Sequence, residues 1–397
     1  MLNRIYLDHS ATTPIDPEVV EAMMPYLTSK FGNASSIHHF GQETRAAVDK
    51  ARHQVASLIN CRPNEIIFTS GGTESSNLAI RGLAEAVGRV PTGQIITSEI
   101  EHPSVKTVCE DLEKLGYAVS YLPVYDDGIV RIKDLESAIT DETILISIMT
   151  ANNEIGTIQP VVDIGKLVQS LRENGRKIRF HTDAVQAVGK IKVDVNEIGC
   201  DLLSLSAHKI YAPKGVGALF VRRGTRLHPQ NIGGRQERGV RGGTESVPFI
   251  AALGKAAELA EQRLATDAEN TRTLRDNFED RVFENITGSF PNGDREHRLP
   301  NISNISFSGI EGEGLLINLD MQGIAVSTGS ACSSGSLEPS PVIRALGRNE
   351  DLARGAIRFS FGRENTADEV NSVLEKLPTS IESLRRLSPS HHHSRSQ

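Results

Sequence analysis

The sequence predicts an α/β protein in which a large domain, built on a mostly parallel seven-stranded sheet, carries a smaller α+β domain. Three observations lead there. Short β-rich runs alternate with helical patterns from about residue 16 to residue 225, as expected of parallel strands joined by crossover helices. The chain has 397 residues, more than one ordinary hydrophobic core serves. Beyond the glycine-rich stretch Gly233–Gly243, the composition turns to Ala, Glu, Leu and Arg over Val247–Phe283, which fits a long helix leaving one domain for another.

In chain order, strands are expected at Glu65–Thr69, Gln94–Ser98, Ala118–Val124, Thr143–Thr150, Ile178–Thr182, Leu202–Ser206 and Gly217–Val221. Helical spacing covers Ser75–Val87, Ser104–Leu115, Ile132–Thr140 and Val161–Asn174, the last stopping at Asn174-Gly175. After the long helix, strand-like Ile302–Phe307 and Ala356–Ser360 accompany helical Ala367–Leu377. The expected division is residues 16–260 for the large domain, residues 1–15 with 261–387 for the small one, and a disordered polar tail at 388–397. The tail histidines His391, His392 and His393 read as solvated terminus or added expression sequence rather than metal ligands, and no metal site is expected.

The apolar share of 38% supports a folded chain, and the net charge of −7 gives no reason to expect nucleic acid or an acidic membrane as partner. No basic leader precedes a long apolar run, and no later stretch reaches membrane-spanning length without charges. A cytoplasmic protein is expected. Cys61, Cys109, Cys200 and Cys332 lie far apart with no CxxC spacing, which argues against disulfides and cysteine-ligated zinc.

Ligands of open parallel sheets bind just beyond the carboxyl ends of the strands, and the polar residues there form a coherent set. Ser70-Gly71-Gly72-Thr73-Glu74-Ser75 lies between a strand and a helix, so that free N–H groups and a hydroxyl face an anion such as phosphate; a simple tight turn is the plainer use of the same glycines. His181-Thr182-Asp183 runs into Ala184-Val185-Gln186, where the carboxylate either holds a pyridinium N–H or N-caps a following helix. Ser206-Ala207-His208-Lys209 ends the next strand. Lysine alone forms a Schiff base with an aldehyde, and most lysines are merely solvated, but Lys209 follows a buried-looking strand and precedes a turn-rich segment. Phosphate cup, carboxylate and lysine are the parts a pyridoxal 5'-phosphate (PLP) site requires. His102, in Glu101-His102, and Asn153, in Asn152-Asn153-Glu154, follow two further strands. The imidazole suits stacking and proton handling, the amide suits a hydrogen bond to cofactor or substrate, and either residue equally suits stabilising its own loop. Finally, Ser327–Ser336 sets Cys332 in a small, polar run, which marks it as a nucleophile, whereas Cys61, Cys109 and Cys200 read as small buried or partly buried hydrophobes.

These residues resemble the NifS/IscS-type cysteine desulfurases, within the class V aminotransferase group of fold-type I PLP enzymes. The resemblance runs from Tyr6-Leu7-Asp8 to Leu387-Ser388-Pro389. It includes Phe31-Gly32-Asn33, the Thr69–Ser75 cup, Glu101-His102, Asn152-Asn153-Glu154-Ile155-Gly156, His181–Gln186, Ser206–Lys209, Glu237-Arg238-Gly239, Arg241-Gly242-Gly243-Thr244 and Gly329-Ser330-Ala331-Cys332. It implies conversion of L-cysteine to L-alanine, with the sulfur carried as a persulfide on Cys332 and passed to an acceptor protein such as an iron–sulfur scaffold. Lys209 would bind PLP covalently and carry the proton at the substrate Cα. His102 would stack on the ring, Asp183 would pair with its nitrogen and Gln186 with its phenolic oxygen. Gly72, Thr73, Ser206 and His208 would hold the phosphate, with Thr244 supplied by the other subunit of a homodimer. Asn153 and Arg358 would hold the substrate carboxylate, a task suited to the paired donors of a guanidinium, although a lone strand arginine is commonly surface. The chain departs from the family at Ala34, usually proline, at Thr328, commonly serine, and in its short polar ending. A transaminating or selenocysteine-using relative, and a non-catalytic partner that keeps the fold, stand as rivals.

Overall fold

The structure, a computed structural model, describes residues 4–87, 93–329 and 338–387. Strand β1 (Ile5–Tyr6) opens the chain, and helices α1 (Pro17–Leu27) and α2 (His39–Leu58) follow. Helix α1 starts where Asp16 accepts a hydrogen bond from the Glu18 N–H and Pro17 takes the first turn. The seven strands that follow are β2 (Ile66–Thr69), β3 (Gln94–Ser98), β4 (Ala118–Leu122), β5 (Thr143–Ser147), β6 (Arg179–Asp183), β7 (Leu202–Ser206) and β8 (Gly217–Val221). They form one sheet in the order β2-β8-β7-β6-β5-β3-β4. Only β8 opposes its neighbours β7 and β2; the other pairs are parallel.

The edge strand β2 and the interior strands β3 and β7 are buried at every residue, and the two interior strands, covered on both faces, carry unbroken apolar stretches. Their covering helices are α3 (Gly72–Val87), α4 (Pro103–Lys114), α5 (Ile132–Ala138) and α6 (Val161–Glu173). Boundaries move by a few residues from those the sequence suggests. The run expected to end at Thr150 pairs regularly only to Ser147, although the Ile148 and Thr150 N–H groups still reach the His181 and Asp183 carbonyls of β6. Helix α3 begins at Gly72 rather than Ser75, which brings Gly72 and Thr73 into its first turn. After Asp183 the chain makes turns instead of the expected helix. Asp183 therefore caps no helix: its Oδ1 accepts from the Val185 N–H at 2.9 Å, and the side chain of a turn residue competes successfully with helix formation.

After the short α7 (Val195–Ile198), α8 (Val247–Asn285) runs for 39 residues, about 58 Å at the usual rise. Its first half packs Ile250, Leu253 and Ala257 into the large core around Phe180 and Phe220. Its second half inserts Phe278 and Val282 into a separate core with Phe307, Phe359 and Phe361. That second core lies on the antiparallel sheet of β9 (Ser289–Pro291), β10 (Ile302–Phe307) and β12 (Ala356–Ser360), ordered β12-β10-β9, and is covered by α9 (Gly312–Met321) and α12 (Ala367–Leu387); the short helices α10 (Pro341–Ala345) and α11 (Glu350–Arg354) precede β12. Helix α12 continues past the expected Leu377 and through Pro378, because Leu374, Leu377 and Ile381 all remain buried in this core.

The N-terminal segment links the two cores. β1 pairs with β11 (Ile324–Ala325), after which residues 8–16 run as a strap across the end of the large sheet. The Thr13 N–H reaches the His208 carbonyl at 3.0 Å and the Asp16 N–H reaches the Tyr211 carbonyl at 3.0 Å.

Candidate active site

At the carboxyl ends of β2, β3, β5, β6 and β7 a cavity of about 250 Å³ opens. Gly72, Thr73, His102, Asn153, Asp183, Gln186, Ser206, His208 and Lys209 line it, so these residues from five segments meet as the sheet rule requires. Ala11, Ser104, Met149, Ala151 and Val185 complete the lining.

The cup at the first strand is tight. A Cβ on Gly72 would lie 2.9 Å from Val185 Cγ2, and one on Gly217 only 2.7 Å from the Gly71 Cα, so both glycines permit contacts that side chains would forbid. Glu74, in the first turn of α3, accepts from the Ser70 N–H at 2.7 Å and from Arg241 Nε at 2.7 Å. Burial alone would raise its pKa, but the bonds from Arg241 and Ser70 hold it below the ordinary range. The free N–H groups of the first turn thus face the cavity beside a carboxylate that is already paired.

Asp183 is 6% exposed. Burial raises its pKa, against the opposing charges of His102 and Lys209 and the hydrogen bonds from Val185 and Ser104. A carboxyl group with that extra proton affinity is suited to sharing a proton with a ring nitrogen. His102 N-caps α4: its Nδ1 accepts from the Ser104 N–H at 3.1 Å, while Ser104 Oγ stands 3.4 Å from Asp183 Oδ2. Burial lowers the His102 pKa, with Lys209 adding to the effect and Asp183 opposing it. His208 is pushed down to about 4 by burial and by the charges of Lys209 and Lys214. Both rings are therefore neutral near pH 7. The loop-stabilising reading of His102 is met, since Nδ1 caps the helix, and the same residue lines the cavity.

Lys209 sits on a short 3-10 turn, Ala207–Lys209. Its Nζ donates to the carbonyls of Ser10 and, at 2.8 Å, Ala11. Two residues on, Tyr211 has φ of +65°, a conformation costly for a bulky side chain, of order 1–3 kcal/mol. It is held by the Arg363 guanidinium at 3.7 Å from the ring centroid, by Lys190 Nζ at 5.0 Å, and by bonds to Thr13 and the Asp16 N–H. The strap and this strained turn together fix the lysine. Gln186 Nε2 donates to the Ser10 carbonyl at 3.0 Å.

Two other predicted residues, Arg358 and Thr244, are not part of the cavity lining. Arg358 is 3% exposed on β12, so it is no surface arginine. Its Nη2 donates to Asp8 at 2.8 Å and its Nη1 to the Asn153 carbonyl at 2.8 Å. Thr244 is exposed. Cys332 lies outside the described residues. Cys109 and Cys200 are buried and Cys61 is half-buried, and burial pushes all three thiols up to about 12, far from a reactive thiolate.

The sequence reading misses the strap. Ser10 and Ala11 meet a side chain almost two hundred positions away, and only the polar run His9-Ser10-Ala11-Thr12-Thr13 after an apolar start signals it. The donor set fits a flat phosphorylated pyridine aldehyde. The first turn of α3, the Ser206 hydroxyl, the Asp183 carboxyl group and the Lys209 amine all line the one cavity. The buried Ser10 Oγ beside them has no partner among the described residues.

Comparison with known proteins agrees with this geometry. The family described as aminotransferase class-V matches residues 5–373. A cysteine desulfurase IscS of Dictyoglomus turgidum is 51% identical over 389 residues, covering 98% of this chain and 97% of its own. A solved NifS-like protein superimposes with a TM-score of 0.89 at 37% identity, over 96% of this chain and 100% of its own. A structure of SspA in complex with cysteine gives a TM-score of 0.80 at 36% identity, over 91% of this chain and 100% of its own. With matches that span nearly its whole length, the chain belongs to the class V aminotransferases, a family of PLP-dependent enzymes, and within it to the cysteine desulfurases.

Proposed function

We propose that this protein is a PLP-dependent cysteine desulfurase that converts L-cysteine to L-alanine and passes the sulfur, as a persulfide on Cys332, to an acceptor protein for assembly of iron–sulfur clusters or other sulfur-containing cofactors. The observation that carries this reading is the meeting of Lys209, Asp183 and His102 on one cavity at the strand ends. Bound PLP supplies an electron sink for the bonds at the substrate Cα.

Gly72, Thr73, Ser206 and His208 hold the phosphate. Asp183 keeps a proton at the ring nitrogen, His102 covers the ring face and Gln186 hydrogen-bonds the ring oxygen. Asn153 and Arg358 hold the substrate carboxylate. Arg358 is kept in place by Asp8, and its second contact, to the Asn153 backbone, couples the two carboxylate-binding residues. Lys209 Nζ, lifted from the Ser10 and Ala11 carbonyls, takes the Cα proton and returns it on the product side. The Cys332 thiolate attacks the substrate sulfur: an S–S bond forms and the carbon–sulfur bond breaks, with the released carbon taking up a proton to give alanine. The three other thiols, raised by burial, are poor rivals for that step.

The enzyme acts as a homodimer in the cytoplasm, with Thr244 reaching the cofactor phosphate of the opposite subunit. No described helix is long and apolar enough to cross a membrane. Residues 16–260 form the cofactor domain, and residues 1–15 with 261–387 the small domain, a division supported by the separate core around Phe278, Phe307 and Phe359, while Leu299, Ile302, Val342 and Ile343 pack across it into the large core.

The test is to load the purified protein with PLP, follow its visible absorption on adding L-cysteine, and measure alanine and sulfide. Lys209→Ala should make no alanine above a trace, because it removes both the anchoring amine and the Cα proton carrier. Alanine formation by that variant near the wild-type rate would overturn the assignment.

A further inference from the structure

The turn after β3 carries a buried acid for which the chemistry above has no task. Glu101 immediately precedes His102 and is 5% exposed. Its Oε1 accepts from Ser98 Oγ at 2.8 Å and from the Met149 N–H at 2.9 Å. The carboxyl group therefore ties the turn that bears His102 to the chain just beyond β5, where Met149 itself lines the cavity. A second tie runs alongside, from Asn152 Nδ2 to the Ile100 carbonyl at 2.9 Å.

The other oxygen, Oε2, is buried and has no hydrogen-bond partner among the described residues, and no cationic side chain bonds either oxygen among them. The titratable groups facing it from neighbouring elements are Asp183 of β6 and the Cys109 thiol of α4. Neither supplies positive charge. A carboxylate buried without a counter-charge is strongly disfavoured, and such a group takes up a proton instead. A proton on Glu101 leaves its Oε1 free to accept both existing bonds. It also leaves Asp183 without a second negative charge nearby, which would push the proton affinity of Asp183 higher still.

We propose that Glu101 is a positioning residue that works as a neutral carboxylic acid, clamping the turn after β3 to the end of β5 so that His102 keeps its place on the cavity. The inference rests on the reading of His102 as the residue that covers the cofactor ring.

Infrared difference spectra of the PLP-loaded enzyme against E101Q, with carbon-13-labelled glutamate, test the protonation directly. A protonated-carboxyl band should be present at neutral pH, absent from E101Q, and replaced by a carboxylate signal as pH rises through about 8. A carboxylate signal already present well below neutral pH would overturn the proposal. Kinetics test the clamp. Glu101→Ala should lower kcat on the order of tenfold to a hundredfold, as expected when a reacting group loses its alignment. E101Q, which keeps the acceptor oxygen, should restore most of that loss and lack the wild-type change near pH 8. Turnover of E101A at the wild-type rate, or a wild-type pH profile in E101Q, refutes the role. Failure of the wild-type protein to bind PLP would instead sink the cofactor reading, while the infrared band would still report on Glu101.

Discussion

Acid should loosen this protein through His181. The ring is fully buried, with Nδ1 bonded to Ser147 Oγ of β5 at 2.8 Å and Nε2 to Ser204 Oγ of β7 at 2.9 Å. It cross-links three strands two residues before Asp183. Burial pushes its pKa from 6.5 down to about 3. The unfolded chain takes up a proton below pH 6.5, which the folded chain refuses until about pH 3. The stability owed to the neutral ring is therefore complete above pH 6.5, declines as pH falls, and is gone below about pH 3. The loss is about 1.4 kcal/mol for each pH unit below 6.5, or about 2 kcal/mol at pH 5. His181→Gln removes the titration. That variant should be the weaker protein at neutral pH, by about 1–3 kcal/mol for serine hydroxyls left poorly paired, but should lose less on acidification. Denaturation midpoints of wild type and variant at pH 7.5 and pH 5 measure this, and contributions from the other buried histidines cancel in the comparison. The gap between the two proteins should close by about 2 kcal/mol. A gap that stays constant between the two pH values would refute the neutral-ring account.

Three further outcomes follow from the site. Cys332→Ser should bind PLP normally and keep the change in cofactor absorption on adding L-cysteine, yet release no sulfide under reductant, because a hydroxyl is a far weaker nucleophile toward sulfur than a thiolate; sulfide at the normal rate would remove Cys332 from the mechanism. Asp183→Asn keeps the acceptor for the Val185 N–H but loses the charge, so the protein should fold while alanine formation falls by about a hundredfold or more. Unchanged turnover would show that the carboxyl group has only a turn-forming role. Gly72→Val forces a Cβ to within 2.9 Å of Val185 Cγ2; the resulting overpacking should weaken PLP binding by about tenfold or more in a fluorescence titration, and unaltered affinity would mean that the cup is not the phosphate site.

Much of this protein was legible from neighbouring residues alone. The interior strands are buried on both faces and so show as apolar runs, the glycine after Glu173 and Asn174 stops α6, and Asp183, Ser206 and Lys209 stand at strand ends where a parallel sheet exposes its ligands. Such features depend on periodicity and turn chemistry, which are local. Where the expected element did not form or did not stop, a competing turn bond or a distant contact had overruled the local signal. After Asp183, an Asx-type bond to Val185 and the reach of Gln186 to the Ser10 carbonyl replace the helix that Ala184-Val185-Gln186 suggests. Helix α12 outlasts Pro378 because its apolar face has a core to cover. The reversed strand β8, the strap that brings Ser10 and Ala11 onto Lys209, the Asp8–Arg358 pair and the burial of Glu101 without a counter-charge were decided only by the tertiary structure. Each joins residues far apart in the chain, and their meeting depends on how sheets, helices and loops close around a shared core, a quantity that no stretch of contiguous sequence encodes.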